Sequence, residues 1–276
     1  MKVMTASWSD INFYTVAFTV RSGSNLLCDY LSANGMGLPS EYFQYPFGAV
    51  NKYWYDLLGV PKDEFMPFLD RLVNSMSPNR LFGAKLAWDH KNALVEEVRK
   101  YTDAVEDLDD LFPGNSWAYV CRNDKIGQAV SLWRAKKTNL WFVKADEDIH
   151  EPEYDFFEIF NCFSYIVTED YLWKDYFDRK NIKPFIVVYE DFLKDPVSTV
   201  YGLHCHVRPE GALKIEEVKI ASDLKVQRNM HSKKVKERFR EDLYRIGESK
   251  HWQSRGDQLK SWLGFYQNYA EWKKLF

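Results

Sequence analysis

The residues whose types and spacing most clearly suggest a binding or catalytic role lie at positions 21–25, in the stretch Arg-Ser-Gly-Ser-Asn. A run of β-forming residues precedes this stretch, and an apolar pattern with helical spacing follows it. A helix N-terminus presents unpaired N–H groups and about half a positive charge, and small residues let an oxyanion approach those groups closely. Arg21 adds a permanent charge with the fork geometry that suits phosphate or sulfate. The stretch predicts an anion-binding turn, although by itself it also fits an ordinary strand-to-helix turn with a surface arginine.

The turn differs from the loop that binds nucleoside triphosphates. In the pattern G-x-x-x-x-G-K-[ST], a lysine precedes the hydroxyl residue and a second glycine lies upstream. Here no lysine precedes Ser24, and the position five residues before Gly23 is not glycine. The anion is therefore expected to be something other than the triphosphate of a P-loop enzyme.

A second segment, "VCRNDKIGQAVSLWRAKKTNLW", repeats the arrangement of a strand that ends in an arginine and a helix that follows. The arginine is Arg122, and Ser131 lies about two and a half helical turns beyond it. In a doubly wound sheet the C-terminal ends of the strands share one edge, and ligands bind there. Two arginine-headed anion sites at one edge suit a ligand with two separated anionic groups.

The elements that must position these residues alternate along the chain. Alternation of strands and helices predicts an α/β fold with a central, mainly parallel sheet flanked by helices, followed by a helical C-terminal region. Ser24 or Asn25 is expected to cap the first helix, and "PFIVVYEDF" to form a strand inside the parallel sheet. The whole chain, 1–276, is predicted to form a single domain. The predicted strands are Asn12–Val20, Leu81–Trp88, "SWAYVC" and "PFIVVYEDF"; the helices begin near Ser24, Asp63, Asn92, Asp124 and Asp155, with two more at 231–249 and 252–276. The segment 36–61, rich in glycine, proline and aromatic residues, is predicted to be a loop.

Three ordered motifs carry a family resemblance. "RSGSNLLCDYL" with "PSEYFQY", then "GAKLAW", then "RNDKIGQAVSLWRAKKTNLW" resemble, in order and spacing, the sulfotransferase family typified by trehalose 2-sulfotransferase. The likeness covers about Val20 to Trp141 and is weaker at "VVYEDF" and "QRNMHSKKVKERFRED". The resemblance implies a P-loop-like sulfotransferase fold that uses 3′-phosphoadenosine 5′-phosphosulfate (PAPS) and releases the bisphosphate PAP.

The resemblance also implies roles for individual residues. The turn Arg21, Ser22, Gly23, Ser24 and Asn25 would hold the 5′-phosphosulfate, with Arg21 also meeting the charge that develops during transfer. Arg122 and Ser131 would hold the 3′-phosphate, Glu41 would be the general base for the acceptor, and Gln227 and Arg228 would contact the nucleotide. Asn25 stands where the family usually has threonine, and its amide can still donate a hydrogen bond. Lys85 in "GAKLAW" could bind sulfate or acceptor, or could be a solvated lysine at a strand edge.

Composition limits the partners. A net charge of −3 lacks the positive excess of proteins that coat nucleic acid. No stretch approaches a membrane span or a secretory signal, and the four widely spaced cysteines fit reduced thiols, so a cytoplasmic protein is expected. No metal is expected. The histidines of "HCH", 204–206, would share a strand face without a third ligand at a familiar spacing, and the acidic runs 103–110 and 146–155 are expected to be solvated loops.

The expected reaction is sulfuryl transfer to a hydroxyl or nitrogen of a small polar acceptor. The family favours a carbohydrate or glycolipid; tailoring of a natural product, such as a guanidinium alkaloid of the saxitoxin type, is the second possibility. Two other classes stay open, a P-loop-type nucleotide kinase and a non-catalytic nucleotide-binding protein. A homodimer is possible, as in other family members.

Overall fold

A computed structural model describes residues 8–44, 49–141, 151–208, 213–224 and 230–248, with the backbone alone at 49–51, 230 and 246–248. The strands are β1 Asn12–Phe18, β2 Leu81–Leu86, β3 Ser116–Cys121 and β4 Phe185–Val188. The helices are α1 Ser24–Ala33, α2 Ala49–Leu58, α3 Phe65–Ser75, α4 Trp88–Arg99, α5 Leu108–Leu111, α6 Lys125–Thr138, α7 Phe156–Lys180, α8 Tyr189–Phe192, α9 Pro196–Val207 and α10 Met230–Glu248, with 3₁₀ turns at Pro78–Arg80 and Ile215–Glu217.

The four described strands form one parallel sheet in the order β2-β1-β3-β4. Strand β1 lies between β2 and β3, with Thr15 opposite Ala84 on one side and Trp117 on the other. Because all four strands run in the same direction, their C-terminal ends meet at one edge of the sheet. The α/β class and the parallel sheet predicted from the sequence are confirmed.

Helices cover both faces of this sheet. Successive side chains of a strand point to opposite faces, so Phe13 and Ala17 join a hydrophobic cluster with residues of α3, α4 and α7. Tyr14, Val16 and Phe18 join a second cluster with residues of α1 and α9. The sheet is thereby held between two apolar layers, which fixes the positions of the strand ends.

The structure corrects the prediction for "PFIVVYEDF". Only Phe185–Val188 is a strand, it lies at an edge of the described sheet, and Ile186 is 61% exposed. The polar half of the motif instead begins the short helix α8 at Tyr189. An apolar run does not distinguish an edge strand from a central one, because that difference depends on which strands pair.

Three further expectations are wrong. The segment 36–61, expected to be a loop, contains α2. The "HCH" motif lies in α9 rather than on a strand, so His204 and His206 are about 200° apart around the helix and do not share a face. Within the acidic run 103–110, Asp107 is buried and pairs with Lys91 at 2.9 Å and Lys180 at 3.0 Å, so this carboxylate is not solvated.

The chain divides into two compact units, 1–228 and 229–276. The sheet and its flanking helices belong to the first unit, and α10 belongs to the second. Helix α10 confirms the helical spacing predicted for 231–249, whereas the helix predicted at 252–276 lies outside the described residues. None of the helices in the described ranges is long and apolar enough to cross a bilayer.

Candidate active site

The turn between β1 and α1 forms the centre of the site. Helix α1 begins at Ser24 after Gly23, which has a left-handed backbone with φ 86°, and no side chain caps the helix. The expectation that Ser24 or Asn25 caps it is therefore wrong. Because the first N–H groups of a helix have no intrahelical acceptor, this uncapped end directs several donors at the turn.

Two features of the turn favour a bound oxyanion. A Cβ atom at Gly23 would overlap the ring of Tyr189, so this position has no room for a side chain. The hydroxyl of Ser22 is fully buried and has no hydrogen-bond partner among the described residues. Buried polar groups normally have partners, so an unsatisfied hydroxyl at an uncapped helix end indicates a ligand atom.

Arg21 connects this turn to α6. Its backbone is also left-handed, with φ 64°, an uncommon conformation for a residue other than glycine. Its Nε donates to Ser131 Oγ at 3.0 Å, and one terminal nitrogen donates to the carbonyl of Trp141 at 2.7 Å. Burial, together with the charge of Arg122, lowers the pKa of Arg21 to about 10, so the guanidinium stays charged at neutral pH.

Arg122 follows β3 and is 8% exposed. Its guanidinium lies 3.5 Å from Asp124 Oδ2 and 3.7 Å from Glu190 Oε1, and 5.1 Å from the centre of the Tyr189 ring. Glu190 also accepts the N–H groups of residues 123 and 124, at 3.0 and 3.1 Å. The short helix after β4 thereby orients Arg122. The Tyr189 ring also lies against Gly23, so one side chain contacts both Arg122 and the turn that follows Arg21.

Gln128 holds the two arginine segments together, and it is not among the site residues predicted from the sequence. Its side chain is fully buried and donates to Thr19 Oγ1 at 2.9 Å and to the Val20 carbonyl at 2.7 Å. These bonds fasten α6 to the end of β1, next to the turn. One feature of the sequence could have identified it: Gln128 is a polar residue on the apolar face of the helix that follows Arg122.

Lys85, Glu41 and Asn25 meet beside the turn. The Lys85 ammonium contacts the carboxylate of Glu41 and the amide oxygen of Asn25, and it lies 4.5 Å from the centre of the Phe18 ring. Lys85 is 2% exposed, so the alternative of a solvated lysine is wrong. With its oxygen bound to Lys85, Asn25 keeps its amide N–H groups as donors.

Four further residues of this region are not among the site residues predicted from the sequence. They are Asp89 and His90 in the first turn of α4, and Tyr165 and Glu169 on α7. Burial lowers the pKa of His90, against the opposing charges of Asp89 and Glu41. Burial and then the charge of Asp89 raise the pKa of Glu169 to about 8. We refer to Asp89, His90, Tyr165 and Glu169 as the acidic group.

All the predicted site residues that the structure describes thus lie at one edge of the sheet. Arg21, the turn after it, Arg122 and Ser131 form one part of the site, and Glu41 and Lys85 form the other. Gln227 and Arg228 lie outside the described residues, so their nucleotide contacts stay a prediction.

Comparison with known proteins identifies the family of the chain. A trehalose 2-sulfotransferase from Mycolicibacterium smegmatis is 27% identical over 209 residues, which is 64% of this chain and 76% of the relative. A trehalose 2-sulfotransferase from Mycobacterium tuberculosis is 26% identical over 265 residues, 85% of this chain and 96% of the relative. The sulfotransferase domain of the Synechococcus PCC 7002 olefin synthase aligns with a TM-score of 0.37 and 13% identity, over 83% of this chain and 95% of that structure. The family model of the Stf0 sulphotransferases matches residues 13–242, which include the whole described site. The chain therefore belongs to the Stf0 sulfotransferase family and is an enzyme.

Proposed function

We propose that this enzyme transfers a sulfuryl group from PAPS to a hydroxyl or nitrogen of a small polar acceptor. One observation carries the proposal: Arg21 and Arg122 follow the ends of two directly paired strands, β1 and β3, and Arg21 donates to Ser131 on the helix that follows Arg122. Two neighbouring cations repel each other, and a ligand with two anionic groups would relieve this repulsion. A 3′,5′-bisphosphorylated nucleotide is such a ligand.

The residues present fit that nucleotide. The uncapped start of α1, the buried hydroxyl of Ser22 without a partner and the close approach at Gly23 suit the 5′-phosphosulfate. Arg122 and Ser131 are the proposed partners of the 3′-phosphate. Asp124 Oδ2 at 3.5 Å and Glu190 Oε1 at 3.7 Å hold the Arg122 guanidinium in a fixed position, from which it would meet the 3′-phosphate.

The chain's own residues would share the chemistry as follows. When bound, PAPS supplies the sulfuryl group that is transferred. Glu41, 25% exposed, accepts the proton of the acceptor nucleophile. Lys85 holds the Glu41 carboxylate and Asn25 in one arrangement. Arg21 and the N–H groups at the start of α1 stabilise negative charge on the departing phosphate, an effect that is strong where water is excluded.

Titration calorimetry with PAP and AMP, in EDTA, tests the nucleotide assignment. We expect Arg21→Ala to weaken the binding of both nucleotides by at least about tenfold, or ~1.4 kcal/mol. Arg122→Ala should weaken the binding of PAP but not that of AMP, because AMP lacks the 3′-phosphate. Arg179→Ala, which removes an exposed arginine that pairs with Asp175, is the matched control. If PAP affinity stays within about threefold in both site variants, the assignment is wrong.

The same titrations distinguish a sulfotransferase from a nucleotide kinase. A nucleotide kinase would bind ATP in a Mg²⁺-dependent way and would be indifferent to the 3′-phosphate. The names of the relatives favour a carbohydrate hydroxyl as the acceptor, and a natural product remains the second possibility. The cytoplasmic location, the homodimer and the single domain stay predictions.

A further inference from the structure

The acidic group beside Glu41 has no role in the mechanism above, yet it is part of the same site. Asp89 and His90 lie in the first turn of α4, just after β2, and Lys85 of β2 contacts Glu41. The ring of Trp88 at the start of α4 lies 5.2 Å from the ring of Trp173, which is about one helical turn beyond Glu169 on α7. In line with this placement, the charge of Glu41 affects the pKa of His90, and the charge of Asp89 affects the pKa of Glu169. The group therefore lies next to the proposed base, where the acceptor must bind.

Glu169 is the unusual member of the group. It is 3% exposed, and its Oε1 accepts the Tyr165 hydroxyl at 2.8 Å. Its Oε2 is buried and has no hydrogen-bond partner, and Glu169 forms no ion pair with the described residues. His90 Nδ1 is likewise buried without a partner. Buried carboxyl groups are normally paired, because the loss of water is otherwise uncompensated.

The nearby cations are engaged elsewhere. The Lys85 ammonium contacts Glu41 and Asn25, and Lys125 pairs with Asp170. Lys136 lies 5.9 Å from the centre of the Tyr165 ring, which places it on the phenol rather than on the carboxyl. Among the described residues, the acidic group therefore has more acidic side chains than basic partners.

A divalent metal does not account for this excess. Within the described ranges, no three carboxylate, imidazole or thiol side chains converge in a way that could hold a metal ion. The group is also accessible at its outer end, because the Asp89 side chain is 46% exposed and Tyr165 is 36% exposed. The group thus combines one buried carboxyl, that of Glu169, with a half-exposed carboxylate and a half-exposed phenol.

We propose that the acidic group binds a cationic nitrogen of the acceptor, an amine or guanidinium, and that this holds the acceptor's nucleophile at Glu41. Glu169 is the main partner of the cation, and Asp89 and Tyr165 complete the subsite. This inference rests on the proposed sulfuryl transfer and narrows its acceptor to a positively charged compound. In the free enzyme Glu169 holds a proton at neutral pH, which an incoming cation would displace.

Two probes that differ mainly in charge test the inference. Guanidinobutanol and ureidobutanol share chain length, hydroxyl and a planar head, but only the first is a cation. Each is titrated by calorimetry into the PAP-saturated protein at pH 8. We expect the wild type to bind guanidinobutanol at least about tenfold more tightly, because charge-assisted hydrogen bonds are roughly twice as strong as neutral ones. Glu169→Gln should reduce this preference below about threefold.

Asp175→Asn is the matched control, since it removes a half-exposed carboxylate from the same helix, and it should keep the wild-type preference. Asp89→Asn, at a half-exposed position, is a second variant that does not depend on the tolerance of the buried site, and it should also reduce the preference. Equal binding of the two probes by the wild type, no detectable binding of either, or a preference that survives Glu169→Gln would overturn the inference.

PAP binding is measured first in every sample. Loss of that signal in the wild type would count against the proposed function, whereas equal probe binding on PAP-bound protein counts only against the cationic acceptor.

Discussion

At the scale of single residues, Lys85 has the most unusual environment for its type. Lysine is almost never fully buried unless it is paired, and Lys85 satisfies this requirement through Glu41 and Asn25. These three residues come from a strand, a loop and the first turn of a helix. One ammonium group thus connects the proposed base to the proposed sulfate-binding turn.

Glu41→Gln tests the proposed base. We expect kcat to fall by about 10²–10⁴-fold while PAP affinity stays unchanged, because the amide cannot accept the acceptor's proton. Single-turnover assays with labelled PAPS and calorimetry with PAP measure the two quantities. Glu97→Gln, which changes a carboxylate that pairs with Lys100, should leave both unchanged. A kcat within about threefold of the wild type would show that another group is the base or that the protein is a non-catalytic binder.

Glu169 predicts a pH dependence of stability. Its pKa is about 8 in the folded protein and 4.5 in its ordinary state, so the folded state holds the proton more tightly between these values. Stability due to this group is therefore lost as the pH rises from 4.5 through 8, by up to about 1.4 kcal/mol per pH unit. Glutamine does not titrate, so the Glu169→Gln variant does not lose this stability. Its free energy of unfolding should therefore rise relative to that of the wild type as the pH increases over that range.

Denaturant unfolding in unit steps of pH measures this difference. Asp89, Tyr165 and Asp170, the other titratable groups that act on Glu169 or bond to it, are present in both proteins, so their contributions largely cancel. A constant difference between the two proteins across the range would contradict the raised pKa.

At the scale of elements, the junction of β1 and α1 depends on Gly23. Gly23→Ala should destabilise the protein by about 1–2 kcal/mol through its left-handed backbone alone, and it should also weaken PAP binding, because the added methyl group displaces Tyr189 from beneath Arg122. Gly114→Ala is the matched control, with φ 71° and no atom within 4 Å of the new Cβ.

Thermal unfolding and PAP calorimetry on both variants distinguish the effect of backbone strain from the effect of the contact between residue 23 and the Tyr189 ring. We expect both to lose stability and only Gly23→Ala to lose affinity. Equal PAP affinity in the two variants would mean that the Tyr189 contact does not position the nucleotide site.

At the scale of the whole molecule, the two hydrophobic clusters lie on opposite faces of one sheet and therefore share its strands. Loss of either cluster exposes the sheet that the other needs. We expect thermal unfolding of the full chain, followed by tryptophan fluorescence and by circular dichroism, to show one coincident transition, as the single-domain prediction requires. Two separable transitions would contradict that prediction and would indicate that the units 1–228 and 229–276 unfold independently.

The sequence determined the elements and part of the site. The strand "SWAYVC", the turn at 21–25 and the helix after Arg122 lie where local patterns predict them, because strand and helix periodicity are properties of neighbouring residues. The location of Arg21 and Arg122 at the same edge of the sheet could also be predicted, since parallel strands place their C-terminal ends at one edge.

Only the tertiary structure decided which distant groups meet. The edge position of β4, the burial of Lys85 and the acidic group around Glu169 depend on strand order and on the packing of α4 against α7. No local pattern distinguishes Glu169 from the exposed carboxylates of the same helix. Its role depends on water being excluded by residues far away in the chain, and that exclusion exists only in the folded molecule.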